Sequence, residues 1–189
     1  PAISDYHKSK SLNIMLKPGE VKRTKDFTIK GTKTIHGDPT GVGFQMKAGN
    51  ITVSYTSDTK YFPELYKYHK DADILIASVL RPGTKSIKGH MCTNNFSNLV
   101  NEVKPKLAIM THFGFKMLNS NPVNEAKKVM RKTGVKTIAA FDGLKIDIDE
   151  NNIEKSKYSA LKNHLMKNSN FNEVFPSDVE EKKPKKIFK

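Results

Sequence analysis

Two short apolar runs constrain the fold of this chain more than any other feature. Residues 72–80 read Ala-Asp-Ile-Leu-Ile-Ala-Ser-Val-Leu, and residues 107–111 read Leu-Ala-Ile-Met-Thr. Runs of this length with few polar residues are typical of strands buried on both faces, which occur mainly in parallel sheets covered by helices. We therefore expect an α/β fold in which helices pack on a central sheet.

The segments around these two runs predict further helices and strands. An apolar stripe indicates a helix that is capped by Thr93 or Asn94, and Pro122 and Gly134 are typical of the start and end of another helix. Gly31 is interpreted as a turn between two short strands. The other predicted helices cover residues 63–70 and 155–167, and the other predicted strands cover residues 27–30, 32–36, 43–47, 51–55, 135–140 and 144–148.

The chain is long enough for one domain with a sizeable core, because it has 189 residues of which 37% are hydrophobic. We assign residues 1–150 to this domain, residues 151–168 to a C-terminal helix and residues 169–189 to a basic polar tail. Cys92 is the only cysteine in the sequence. A disulfide or a cysteine-based zinc site within the chain is therefore excluded, and a reducing, cytoplasmic location is expected. No stretch of the sequence is apolar enough to span a membrane.

The net charge of +14 is large and is not confined to the tail. Residues 1–150 carry 24 basic and 14 acidic side chains, which gives them a net charge of +10. Such a basic domain attracts nucleic acid or phosphorylated substrates. Because the lysines are scattered, a surface selected for solubility or heat tolerance explains the charge equally well.

Polar side chains follow three of the predicted strands. His36 ends one strand, Asp58 follows a second, and His112 follows the apolar run at 107–111. Strand ends at one edge of a sheet converge in space, and two imidazoles with a carboxylate are suitable ligands for zinc or a similar divalent ion. Each residue alone is equally consistent with capping or turn formation, so the three together carry the metal hypothesis.

These residues lie in motifs that resemble the C-terminal half of the metallo-β-lactamase superfamily. The motifs are His36-Gly-Asp-Pro-Thr-Gly-Val-Gly-Phe, Tyr55-Thr-Ser-Asp-Thr, Gly89-His90, Ile109-Met-Thr-His-Phe-Gly and Ala140-Phe-Asp-Gly-Leu. The most similar branch comprises archaeal-type metallo-hydrolases related to ribonuclease Z, an endonuclease that processes tRNA 3′ ends. The resemblance covers about residues 25–148. It implies an αββα sandwich, of which this chain forms half or more.

The resemblance implies that His36, Asp58 and His112 are metal ligands. Asp58 would bridge two metal ions and so belongs to the catalytic residues. The implied cofactor is zinc, with two ions in the complete protein, and manganese or iron are the alternatives. Ser57 and Thr59 are expected to hydrogen-bond the carboxylate of Asp58 or the nearby backbone.

The resemblance also implies that His90 lies beside the metals and holds the scissile phosphate, so His90 is the second predicted catalytic residue. Thr93, together with the backbone amides at the start of its helix, is expected to add donors for the phosphate. Asp142 is expected to fix a turn or to form a hydrogen bond that orients a residue of the site. Cys92 as a thiolate nucleophile is a less favoured alternative, because no orienting group is evident.

The chain departs from the family pattern in two places. The His-x-His-x-Asp-His motif is absent from its 189 residues, so we expect this chain to be a C-terminal portion and an N-terminal half to carry the remaining metal ligands. Ribonuclease Z has a His-Glu-Ala-Thr motif at the end of the strand that follows the aspartate. This chain has Ala77-Ser-Val-Leu there, so the resemblance does not extend to tRNA 3′ processing.

The predicted function is metal-dependent hydrolysis of a phosphodiester by metal-activated water, in a phosphorylated substrate or a nucleic acid. One alternative is hydrolysis of another ester, a lactone or a thioester by the same site. A second alternative is a non-catalytic, basic nucleic-acid-binding or assembly module with an incomplete site. A homodimer is a further expectation.

Overall fold

The computed structural model describes residues 4–11 and 14–160 of the chain. The helices are α1 (Asp5–Ser9), α2 (Leu65–His69), α3 (Thr93–Val103), α4 (Phe115–Asn119) and α5 (Pro122–Thr133), with a 3₁₀ turn at Ile153–Lys155. The strands are β1 (Val21–Arg23), β2 (Thr28–Lys33), β3 (Val42–Ala48), β4 (Ile51–Tyr55), β5 (Ile74–Arg81), β6 (Met91–Cys92), β7 (Leu107–Thr111), β8 (Thr137–Ala139), β9 (Leu144–Asp147) and β10 (Lys157–Ala160).

Eight of these strands form one mixed sheet. Its order is β1-β2-β3-β4-β5-β7-β8, and β6 pairs with β5. The pairs β1–β2, β2–β3 and β3–β4 are antiparallel, whereas the pairs β4–β5, β5–β7 and β7–β8 are parallel. The strands β9 and β10 form a separate antiparallel pair. The predicted α/β class is confirmed.

The two apolar runs are central strands of the sheet, as predicted, because their side chains are buried on both faces. On one face, Leu75, Ala77 and Val79 of β5 pack with residues of α2, α3 and α5. On the other face, Ile74 lies in a second cluster with Ile109 of β7 and with residues of β9. The site described below is therefore built on strands fixed from both sides.

The longer helices begin and end where the sequence predicts. The side chain of Asn121 accepts hydrogen bonds from the N–H groups of Val123 and Asn124 at the start of α5, and Gly134 ends that helix with a φ of 73°. The helix α3 begins at Thr93, one residue after its N-cap Cys92. Among the described residues, no helix combines the length and apolar character that a membrane span requires.

The prediction of a turn at Gly31 is wrong, because Gly31 lies inside the single strand β2. The glycine is needed for a close approach instead. A Cβ atom at Gly31 would lie 2.2 Å from the carbonyl oxygen of Lys17. The segment before β1 therefore crosses β2 at this point, and the N–H of Gly31 donates to the carbonyl oxygen of Glu20.

The helix predicted for residues 155–167 is also wrong in its described part. Residues 157–160 form β10 and pair with β9, so strand pairing overrides the helical pattern there. The remainder of that prediction, and the tail at 169–189, lie outside the described residues. No sequence pattern predicted α1, β1, β6 or α4, which are short elements of two to five residues.

Candidate metal centre

Four polar residues lie beside one edge of the sheet. His36 follows β2, Asp58 follows β4, His112 directly follows β7, and His90 directly precedes β6. The strands β2 and β4 each pair antiparallel with β3, and β4, β5 and β7 run parallel. The carboxyl ends of β2, β4, β5 and β7 therefore lie at the same edge, which brings residues that are distant in sequence together.

The imidazole and carboxylate groups of these residues lie in direct contact. The Nε2 atoms of His36 and His90 are 3.3 Å apart, and the Nε2 atom of His112 lies 3.4 Å from Oδ2 of Asp58. One ligand atom from each of His36, Asp58 and His90 lies within 4.8 Å of the other two. The rings of His90 and His112 are parallel, with their centroids 6.0 Å apart.

This geometry fits a divalent metal ion. In a tetrahedral site with bonds of about 2.0–2.1 Å, neighbouring ligand atoms lie roughly 3.3 Å apart. The separations of 3.3 Å between His36 and His90 and of 3.4 Å between Asp58 and His112 match that spacing. Imidazole nitrogens and a carboxylate oxygen are also the donors that zinc accepts.

Backbone groups orient the two imidazoles of the first pair. The Nδ1 atom of His90 lies 3.0 Å from the carbonyl oxygen of Lys88. Because a carbonyl oxygen only accepts, Nδ1 carries the proton and the lone pair of Nε2 points to the cluster. The N–H of Asp38 donates to Nδ1 of His36 at 3.3 Å, so the ring proton of neutral His36 lies on Nε2, which donates a hydrogen bond to Nε2 of His90. A metal ion at Nε2 of His36 would replace that proton and require the other tautomer. The hydroxyl and N–H of Thr40 hold the pKa of Asp38 below its ordinary value, so a negative charge lies beside His36.

Three residues around the cluster have left-handed backbone conformations. His112 has a φ of 59° and Ser57 a φ of 55°, which for residues other than glycine costs about 1–2 kcal/mol. Gly89 has a φ of 78°, and a Cβ atom there would lie 3.0 Å from Cδ2 of His36. The absence of a side chain at Gly89 therefore lets His90 approach His36.

Thr59 joins the loop of Asp58 to the loop of His36. Its hydroxyl accepts from the N–H of Ile35 and donates to the carbonyl oxygen of Lys60, both at 2.9 Å. The N–H of Lys60 in turn donates to the carbonyl oxygen of Ile35. The buried Thr59 thus bonds the nearby backbone rather than the carboxylate, which fixes the distance between two candidate ligands. The carbonyl oxygen of Ser57 accepts from the hydroxyl of Thr56.

The structure gives the hydroxyl of Thr93 a partner away from the four-residue cluster. It donates to the carboxylate of Glu125, whose side chain is only 2% exposed and also accepts from the N–H of Gly83 at 2.9 Å and from Lys128. Burial raises the pKa of Glu125, but these hydrogen bonds outweigh burial and hold the pKa below its ordinary value. The buried carboxylate therefore anchors both ends of the loop that carries His90.

The structure gives the two remaining predicted residues local surroundings rather than a contact with the cluster among the hydrogen bonds of the described residues. Cys92 is buried, and its Sγ lies 3.2 Å from Oδ1 of Asn95 at the start of α3. Asp142 is exposed in a turn that is closed by a hydrogen bond from the N–H of Leu144 to the carbonyl oxygen of Phe141. The family resemblance was the sequence signal that placed His90 near His36, and the small residue Gly89 permits their contact.

Comparison with known proteins identifies the family. Residues 5–113, more than half of the chain, match the family described as the beta-lactamase superfamily domain. The chain belongs to this superfamily. A superfamily member of known structure, the metallo-beta-lactamase fold protein YhfI of Bacillus subtilis, superimposes with a TM-score of 0.59 at 23% identity, over 66% of this chain and 51% of YhfI.

Two curated superfamily relatives align with the chain in sequence. The uncharacterized protein MJ1374 of Methanocaldococcus jannaschii is 40% identical over 163 residues, which is 85% of this chain and 59% of MJ1374. YhfI, described as a probable metallo-hydrolase, is 29% identical over 65% of this chain and 51% of its own length. The chain therefore spans less than two thirds of either relative. A zinc-bound structure of PqqB from Methylobacterium extorquens shares the fold, with a TM-score of 0.52 at 18% identity over 68% of this chain and 50% of PqqB.

Proposed function

We propose that the complete protein is a metal-dependent hydrolase of phosphodiesters. The observation that carries this proposal is the convergence of His36, Asp58, His90 and His112 at one sheet edge, where Nε2 of His36 lies 3.3 Å from Nε2 of His90 and Nε2 of His112 lies 3.4 Å from Oδ2 of Asp58. Membership of a superfamily that contains a probable metallo-hydrolase supports the reaction class. The net charge of +14 supports an anionic substrate.

In this proposal His36, Asp58 and His112 hold the metal, with Asp58 between two ions. Zinc is the proposed metal because of the donor set, and the zinc-bound PqqB shows that one protein of this fold carries it. We propose that an N-terminal half carries the remaining ligands in the complete protein, because these 189 residues hold no His-x-His-x-Asp-His motif.

A bound divalent ion would lower the pKa of a water molecule and polarise a phosphoryl oxygen. The residues of this chain orient the substrate. The hydrogen bond between Nδ1 of His90 and Lys88 directs the Nε2 atom of His90 towards the cluster, where it contacts a phosphate oxygen in this proposal. The buried carboxylate of Glu125 holds the loop that positions His90.

The decisive experiment compares three histidine variants of the complete protein. We expect His112→Ala to lose metal, as measured by elemental analysis, and to lose hydrolysis of bis(p-nitrophenyl) phosphate. His90→Ala should keep its metal and lose about 10²–10⁴-fold in kcat, since it removes a group that acts mainly in the transition state. His7→Ala is the matched control, because His7 is exposed in α1.

The short distance between His36 and His90 gives His90 a second candidate role as a metal ligand. Loss of metal in His90→Ala equal to that in His112→Ala would assign it that role. Hydrolysis of a lactone or thioester with no turnover of any phosphodiester would contradict the proposed substrate class. Salt-dependent binding of nucleic acid without turnover would instead favour a non-catalytic module.

A further inference from the structure

An aromatic side chain beside the metal centre is left in solvent. Phe115 lies three residues after His112, at the start of α4, and is 78% exposed. Leu118 lies three residues further on the same side of this short helix and is 56% exposed. The two residues form an apolar platform at the sheet edge that carries the metal cluster.

The platform is held on rigid parts of the fold. Met117, on the opposite side of α4, is completely buried in the core. The N–H of Gly114 donates to the carbonyl oxygen of Leu80 at 3.1 Å, and a Cβ atom at Gly114 would lie only 3.0 Å from that oxygen. The helix therefore sits directly against the end of β5, which fixes the backbone of Phe115 relative to His112.

Positive charges surround this platform and the cluster. Lys60 lies two residues after Asp58, Lys88 two residues before His90, and Lys116 is next to Phe115; all three lysines are exposed. Within the described part of the chain, none of their ammonium groups forms an ion pair. An exposed ring among unpaired ammonium groups is complementary to a base carried on phosphates, whereas an acyl chain would leave the charges without a partner.

We propose that the Phe115–Leu118 platform stacks on a nucleobase next to the scissile phosphate, so that the substrate is a nucleotide-containing phosphodiester. This inference rests on the proposed phosphodiesterase function and names its substrate class. The lysines contact the phosphates and Phe115 selects a flat, aromatic substituent. Because any base can stack on an aromatic ring, the site recognises that a base is present but does not distinguish one base from another.

A fluorescence experiment tests base stacking separately from hydrolysis. The chain contains no tryptophan, so Phe115→Trp introduces a reporter within it at the platform. In the complete protein with metal removed by chelation, we expect thymidine monophosphate and hexathymidylate to quench the reporter saturably, and inorganic phosphate to leave it unchanged. Phe27→Trp is the matched control, because Phe27 precedes β2 at the end opposite His36 and should show no quenching.

A kinetic experiment then tests specificity. Between thymidine 5′-(p-nitrophenyl phosphate) and methyl p-nitrophenyl phosphate, Phe115→Ala should lower the ratio of kcat/KM values roughly 5- to 150-fold, mainly through the KM of the thymidine ester. Phe115→Tyr should restore the ratio, since it keeps the ring. Quenching without hydrolysis of any phosphodiester would refute the proposed function but retain the base platform. Hydrolysis with an unchanged ratio would overturn the platform alone.

Two other occupants of the platform predict different results. If another part of the complete protein or a second copy covers Phe115, emission from Phe115→Trp is blue-shifted before any ligand is added, and nucleotides do not quench it. Either result overturns the inference. Sedimentation of the same sample distinguishes the two, because a second copy makes the shift depend on protein concentration.

Discussion

Asp58 and Asp73 lie at opposite ends of neighbouring parallel strands and have opposite surroundings. Asp73 directly precedes β5, and its carboxylate accepts from Lys106 and from the N–H of Thr52, both at 2.8 Å. Asp58 follows β4, and its described side-chain partner is His112 at 3.4 Å. The side chain of Asp73 is 17% exposed and that of Asp58 is 29% exposed. The carboxylate of Asp73 is thus satisfied by hydrogen bonds within the fold, whereas the carboxylate of Asp58 keeps acceptor sites for a ligand.

The same contrast separates the histidines. His69, four residues before Asp73, is completely buried in the helix-covered core, where Nδ1 bonds the hydroxyl of Ser54 at 2.7 Å. Burial lowers the pKa of His69 to about 4, so it is neutral at pH 7. His36, His90 and His112 lie at the surface and face one another or Asp58. The helix-covered core thus holds a buried, neutral imidazole, whereas the imidazoles of the surface cluster are half-buried or exposed.

The largest effect on activity is expected from a substitution of Asp58, whose carboxylate keeps free acceptor sites. Asp58→Asn should lower the rate of phosphodiester hydrolysis by more than roughly 10²–10³-fold, because it removes the proposed bridging ligand. That range is the loss caused by removing one oxyanion donor from an enzyme. Metal content should fall, while the free energy of unfolding without metal changes by less than about 0.5 kcal/mol. Elemental analysis and urea unfolding measure these effects. Asp38→Asn, an exposed carboxylate beside His36, is the control, and equal loss there would break the contrast.

Acid should destabilise the protein through His69. Its folded-state pKa of about 4 lies below the ordinary value of 6.5, so the unfolded state binds the proton more tightly. The contribution of neutral His69 to the free energy of unfolding is therefore fully present above pH 6.5. It decreases as the pH falls towards 4, by about 3 kcal/mol in total. Urea unfolding between pH 7 and 4 measures the loss, and His69→Asn should flatten it. An unchanged slope in that variant would show that other groups cause the loss.

A smaller loss of stability is expected at Asp73. Burial raises its pKa, but the hydrogen bonds from Lys106 and Thr52 and the nearby positive charges hold the pKa below its ordinary value. The stabilisation is present above about pH 4 and lost as the pH falls through the lowered pKa. Asp73→Asn should cost about 1–3 kcal/mol at pH 7 without changing metal content. Asp5→Asn, which breaks an exposed ion pair with Lys8, should cost less than about 1 kcal/mol.

The smallest expected effect sharpens the comparison, because Glu125 is a buried carboxylate that acts on the surface site. Glu125→Gln removes the charge that holds Thr93, Gly83 and Lys128. We expect a fall of about 10-fold in kcat with metal content retained, since the loop of His90 loosens while the ligands stay. Glu102 lies on α3, and its carboxylate accepts a hydrogen bond from the hydroxyl of Tyr61. Glu102→Gln should leave kcat unchanged. Equal effects of both variants would assign Glu125 to stability alone.

Much of the fold could be predicted from local signals. The strands β5 and β7, the hairpin of β3 and β4, and the ends of α5 follow from runs, turns and capping residues that lie within a few positions of one another. Short elements such as α4 and β6 carried no such signal. The helix predicted from residue 155 failed because pairing with β9 decides residues 157–160.

The sequence by itself singled out the candidate residues, since His36, Asp58 and His112 end or follow predicted strands and all three lie, with His90, in family motifs. Only the tertiary structure decided how they meet. The contact of His36 with His90 spans 54 residues, and the bond from Thr93 to Glu125 spans 32. Such contacts depend on strand order and on the close approaches that Gly89 and Gly31 permit. No local pattern encodes them, because they arise from the packing of the whole sheet.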